Sequence, residues 1–175
     1  VEIMPFLDPR RERFFEYELV KMIYGLDHPD LPRLGIISSV SMGGNFDAHL
    51  QQQIPAYTIY EQLQQLYEVV DIEATATSLP EDLNALMIVH PKTLTQSLQY
   101  EIDQYVLGGG GLIVFVDPHA QNDSQGADPT GLSQRSGSSD LPKFFETWGV
   151  KFRPEIWAGD IRYALEVNMG SKAYR

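Results

Sequence analysis

Ala85-Leu-Met-Ile-Val89 and Leu112-Ile-Val-Phe-Val116, with residues 90–111 between them, decide the fold of this chain. Both runs are short and wholly apolar, the pattern of strands buried on both faces of a sheet. Between them Thr95 is placed to cap a helix, and Leu98, Ile102, Tyr105 and Val106 recur at i, i+4, i+7 and i+8, the spacing of one buried helix face. Gly108-Gly-Gly-Gly111 ends that helix. Two parallel strands joined through a helix cross over right-handed and lie side by side or nearly so. His90 and Asp117 therefore end neighbouring strands on one rim, where open α/β sheets bind ligands.

Working outward, Leu34-Gly-Ile-Ile-Ser-Ser-Val40 reads as a buried strand and Glu68-Val-Val-Asp-Ile72 as a shorter, more polar one suited to a sheet edge. Ile59, Leu63, Leu66 and Tyr67 mark a helix between them. Upstream, Asp8-Pro9 opens another helix, on which Phe15, Leu19, Met22, Ile23 and Leu26 repeat at helical spacing. Glutamines 51–53 read as a solvated face. Strands at 34–40, 68–72, 85–89 and 112–116, separated by helices, predict a three-layer, doubly wound, mainly parallel α/β sheet of flavodoxin-like type, order 2-1-3-4. A fifth strand is expected near 150–152, and Ile161 to Asn168 alternate as an antiparallel edge strand would. Asp140 is placed to cap a short helix over 141–148. Residues 118–139 are so poor in large apolar side chains that a mobile loop is expected. The whole, 1–175, reads as one α/β domain.

The formal charge of -11 and pI near 4.6 argue against nucleic acid and anionic lipid as partners, because binding either requires Lys and Arg to neutralise phosphates. With no cysteine, disulfides, thiolate metal sites and cysteine nucleophiles are excluded. No run reaches the roughly twenty apolar residues that a bilayer crossing needs.

His90-Pro-Lys-Thr-Leu94, the helix Leu98-Gln-Tyr-Glu-Ile-Asp-Gln-Tyr-Val106, and Gly109-Gly-Gly-Leu-Ile-Val-Phe-Val-Asp-Pro118 resemble the signature of the GldG-type auxiliary proteins of ABC transporters. Phe14-Phe-Glu-Tyr-Glu-Leu-Val-Lys-Met-Ile-Tyr24, Leu34-Gly-Ile-Ile-Ser-Ser39 and Lys143-Phe-Phe-Glu-Thr-Trp-Gly-Val150 are similar to other blocks of that family. The resemblance implies a glutamine amidotransferase-like fold in a periplasmic domain, tethered to the inner membrane by segments outside this sequence. It also implies partners, an ABC permease and ATPase encoded elsewhere, as in gliding-motility and related export systems. It carries no catalytic residues.

In the predicted crevice Ser39, Gly43, Gly44, His90, Asp117 and His119 would converge. The glycines sit in Ser41-Met-Gly-Gly-Asn45, a loop able to bring backbone N-H groups to a ligand, but the Gly-Lys-Ser/Thr ending of a P-loop is missing and a plain turn accounts for them. His90, His119, Asp117 and Asp123 are metal-ligand types, yet strand-ending turns explain His90-Pro91 and Asp117-Pro118 and His119 opens the expected mobile loop, so no metal and no cofactor is assigned. Ser39, His90 and Asp117 could form a hydrolytic set, but Gly-x-Ser-x-Gly is not present. Of the aromatics Tyr57, Tyr60, Trp148, Tyr163 and Trp157, Trp157 is singled out as a surface contact, being flanked by Pro154 and Gly159, whereas core packing suits Trp148 at its helix end. The leading expectation is a non-enzymatic extracytoplasmic module that binds a cargo or partner for an ABC-type system. A small-molecule or carbohydrate binder using the rim crevice is the alternative, and a degenerate Ser/His hydrolase ranks last.

Overall fold

The chain's computed structural model describes residues 9–27, 30–47, 51–118, 120, 137–153, 156, 159, 162, 167–169 and 172–174. A 3-10 turn, Pro9–Phe14, leads into α1 (Phe15–Asp27). Strand β1 (Arg33–Ser38) is followed by a small hairpin, β2 (Asn45–Asp47) and β3 (Gln52–Ile54), then α2 (Thr58–Gln64) and β4 (Glu68–Asp71). Next come β5 (Ala85–Val89), α3 (Gln96–Leu107) and β6 (Gly111–Phe115). The chain continues through α4 (Pro142–Thr147), β7 (Val167–Met169) and β8 (Lys172–Tyr174). It divides into two units, Val1–Phe115 and Val116–Arg175.

In the first unit the strands order β4-β1-β5-β6, all parallel, which in sequence terms is 2-1-3-4. The register pairs Ile36 with Met87 and Ile37 with Ile88, and Ile88 in turn with Val114. Because side chains alternate along a strand, Leu34, Ile36, Val69, Ala85, Met87, Val89, Ile113 and Phe115 share one face. Gly35, Ile37, Leu86, Ile88, Leu112 and Val114 share the other. The first face packs under Tyr60 and Leu63 of α2, with Met42 and Tyr57 from the loops. The fully buried Leu98 and Ile102 of α3 take no part in that cluster, which puts α3 on the second face with Leu86 and Ile88.

Helix α3 begins where its sequence says. Thr95 is extended, and its Oγ1 accepts from the Leu98 amide at 3.2 Å. It ends at Gly108, and two residues on a Cβ at Gly110 would stand 2.3 Å from Cε1 of Tyr105, so only glycine fits beneath that ring.

Three features differ from expectation. Glutamines 51–53 are exposed, as a solvated face should be, but an antiparallel hairpin β2–β3 that was not expected runs through them. Helix α1 has its predicted apolar stripe but buries none of it: Phe15, Leu19, Ile23 and Leu26 are between 41% and 60% exposed.

The third is in the second unit, where no strand forms at 150–153. The Val150 amide instead donates to the Phe145 carbonyl at 2.8 Å and that of Gly149 (φ 72°) to Glu146 at 3.3 Å, a Schellman closure of α4. Phe152 is drawn edge-on against Phe145, 5.8 Å between ring centroids, so the apolar residues of the expected strand finish the helix. Trp148 packs tilted against Phe144, 4.9 Å between ring centroids and 38° between planes. Asp140 lies one position ahead of the cap, Leu141, with its Oδ1 accepting from the Leu141 amide at 2.7 Å. Antiparallel pairing does occur, Val167–Met169 with Lys172–Tyr174, as a hairpin of its own. The expected loop lies outside the described residues over 119 and 121–136, as does the 161–166 part, Arg162 excepted, of the strand expected over 161–168.

Candidate functional site

Strands β1 and β5 end side by side, and their last residues build the rim. The Ser38 hydroxyl donates to the Val40 carbonyl at 2.8 Å and accepts from the Val40 amide at 3.1 Å, turning the chain sharply off the sheet. Ser39 then bridges the two strands. Its amide donates to the Val89 carbonyl at 3.3 Å, and its Oγ accepts from the Lys92 amide at 3.2 Å. The chain after β1 enters a hairpin, whereas a nucleophile elbow would turn straight into a helix, so the Ser39 hydroxyl serves as a clasp here.

His90 is 4% exposed and left-handed, φ 49°, ahead of the fully buried Pro91. That conformation is disfavoured for any non-glycine residue and doubly so before proline. The His90 amide donates to the Phe115 carbonyl of β6 at 2.8 Å, so the turn is held from the neighbouring strand.

The glycine loop is closed by its own protein contacts. Gly44 has φ 80°, and a Cβ there would meet the Ile54 carbonyl oxygen at 2.6 Å and the Ala56 amide at 2.9 Å. Gly43 lies against the Tyr60 ring. Met42, buried, accepts from the Tyr57 amide at 2.8 Å. From this loop the hairpin extends, carrying Phe46 at 65% exposure with Ile54 also exposed.

The structure therefore gathers Ser39, Gly43, Gly44 and His90 in the first unit at the strand C-terminal end. Asp117 belongs to the second unit, where its amide donates to Ser139 Oγ at 2.9 Å and its carbonyl accepts from the Ser139 amide at 2.9 Å. His119, Asp123, Trp157 and Tyr163 lie outside the described residues. Among the described residues no three His, Asp or Glu side chains are grouped to hold a metal.

Two arrangements were not read from the sequence. Tyr60 donates to Asp71 Oδ2 at 2.6 Å, tying α2 to the end of β4. Burial, then the hydrogen bond to Asp71 and its charge, push the phenol up to about 12. The signal was available, since Tyr60 is one position off the stripe Ile59, Leu63, Leu66, Tyr67. The other is an open cleft of about 500 Å³ at the N-terminal end of β4, opposite the predicted rim, lined by Asp30, Leu31, Gln64, Tyr67, Glu68 and Val69. Beside it Arg33 pairs with Glu68 at 3.3 Å and with Asp82, stitching the N-terminal ends of the strands.

Four parallel strands wound outward from β1 and β5, with helices on both faces, define a doubly wound α/β domain. Residues 31–174 match the family model described as "ABC-type uncharacterized transport system", and the chain belongs to that family of auxiliary ABC transport components. Helix α1 precedes the matched segment. No curated protein and no solved structure matches the chain. No helix among the described residues is long and apolar enough to cross a membrane.

Proposed function

We propose that this is a non-enzymatic, GldG-type auxiliary domain that works in the periplasm, on a protein tethered to the inner membrane, and docks a partner or cargo of its ABC permease and ATPase. One observation carries the reading. At the strand C-terminal rim the gap between β1 and β5 is spanned by Ser39 and the Lys92 amide, while the hairpin rising from the same loop holds Phe46 out at 65% exposure. A rim bridged by its own hydrogen bonds beside an exposed aromatic arm suits contact with a protein better than enclosure of a small molecule.

The test is co-purification of the domain with its permease and ATPase. Phe46→Lys is expected to reduce capture at least tenfold with the thermal unfolding midpoint unchanged, and His90→Ala with Asp117→Ala to leave capture intact in whatever fraction stays folded. Loss of capture in a folded double variant with none in Phe46→Lys would overturn the assignment. A second reading, small-molecule or carbohydrate binding, draws support from the β4 cleft, where Tyr67 offers a ring face and Asp30, Gln64 and Glu68 offer hydrogen-bond acceptors. Calorimetric titration of sugars against Tyr67→Ala tests it.

A further inference from the structure

We propose that the domain pairs with a second copy of itself, each molecule laying its helix α1 across the open strip of the other's parallel sheet beside α2. The argument starts from the face that α2 covers. Its packing centres on the buried Leu34 and Ile36, with Val69 of β4 on one side and Ala85, Met87 and Val89 of β5 on the other packed against them and only partly buried. On β6, the same face leaves Ile113 51% and Phe115 54% exposed. Strands lie about 4.8 Å apart and packed helices 8–10 Å apart, so a helix set alongside α2 would stand over β5 and β6. The open strip is one helix wide. Parallel sheets occur with helices on both faces, and this one lacks that helix among the described residues.

Helix α1 has the matching defect. Phe15, Leu19, Ile23 and Leu26 form a stripe at helical spacing, and none is buried. Lys21 Nζ donates to Gln65 Oε1 at 2.6 Å, and Gln65 caps α2 just ahead of β4. That contact, one exposed hydrogen bond, sets α1 on the β4 side, three strand spacings or about 14 Å from β6, which leaves the strip to the helix of another molecule.

A two-fold arrangement covers both strips and both helices at once. Four helix side chains and two strand side chains, each offering roughly 100 Å², give about 1,200 Å² over both molecules, the lower limit of a specific interface. The pair is therefore weak and concentration-dependent. With each copy at -11, association strengthens as salt screens the repulsion. The inference does not rest on the partner-docking reading, which concerns the hairpin.

Because the chain has no cysteine, single thiols report the contact cleanly. Leu19→Cys and Ile113→Cys variants, mixed and treated with a short bis-maleimide, are expected to give a mixed dimer several-fold above either variant alone. Ile23→Asp added to the Leu19→Cys chain should abolish it, and sedimentation of the unmodified protein should show dimer rising with concentration and salt. Crosslinking of Leu19→Cys chiefly to itself, closure within one chain of the double variant, or a monomer throughout would each overturn the proposal.

Discussion

Strands β4 and β6 stand at opposite edges of one sheet, and their sequences mislead about which edge is better covered. Glu68-Val-Val-Asp71 is the more polar, yet Val69 packs beneath α2, Asp71 takes a hydrogen bond from Tyr60 and Glu68 pairs with Arg33. Gly111-Leu-Ile-Val-Phe115 is wholly apolar, yet Ile113 and Phe115 face solvent. Composition says that a segment is a strand. Which helix lies over it depends on where the chain goes next, and the α2 connection returns over β1 and β4 while the α3 connection serves the other face.

Four substitutions break or sharpen this contrast. The largest effect belongs under α2. Ile36→Ala removes a side chain 1% exposed and is expected to cost about 2–5 kcal/mol in urea unfolding. Gly44→Ala comes next, at roughly 2–3 kcal/mol, because it forces an alanine to φ 80° against the Ile54 carbonyl; a lowered thermal midpoint is the readout.

Tyr60→Phe deletes the link from α2 to β4, with an expected loss of about 1 kcal/mol near neutral pH. It also has a pH signature. The folded phenol is raised from 10.0 to about 12, so the native state holds its proton more tightly than the unfolded chain. That contribution is complete below pH 10 and is lost as pH rises through 12, so the difference between wild type and Tyr60→Phe should shrink over that interval. The smallest effect lies on β6. Ile113→Ala is expected to stay within about 0.5 kcal/mol in dilute solution, and a loss comparable to that of Ile36→Ala would show that the strip is covered within one molecule.

The winding of the sheet was legible because each strand is a short apolar run and each crossover has a stop signal. Thr95, the glycines after Leu107 and the runs at 34–40, 68–72 and 85–89 all mark real boundaries to within two residues. The hairpin was not legible, since Gln52-Gln-Ile54 has almost none of the β-branched or aromatic character that marks strands and pairs through its backbone. Helical periodicity in α1 gave the stripe but could not say whether anything covers it. The strand read at 150–152 failed because Gly149 offered a cheaper use for Val150 and Phe152, closing α4. At the rim, Ser39 and His90 were placed correctly by the strand ends. The clasp between Ser39 and Lys92 runs through a main-chain amide, which no side-chain pattern encodes.

The second unit contains a neck. Asp117 and Ser139 exchange main-chain and hydroxyl hydrogen bonds, and one step further out the Ala120 amide donates to the Gly137 carbonyl at 2.8 Å. Ends fixed in this way close the span at its base, and doubling the length of such a span costs only about 0.6 kcal/mol of closure entropy. A fluorescent domain or epitope spliced between 120 and 137 would thus ride on the protein as a passenger, giving a handle for following it in cells.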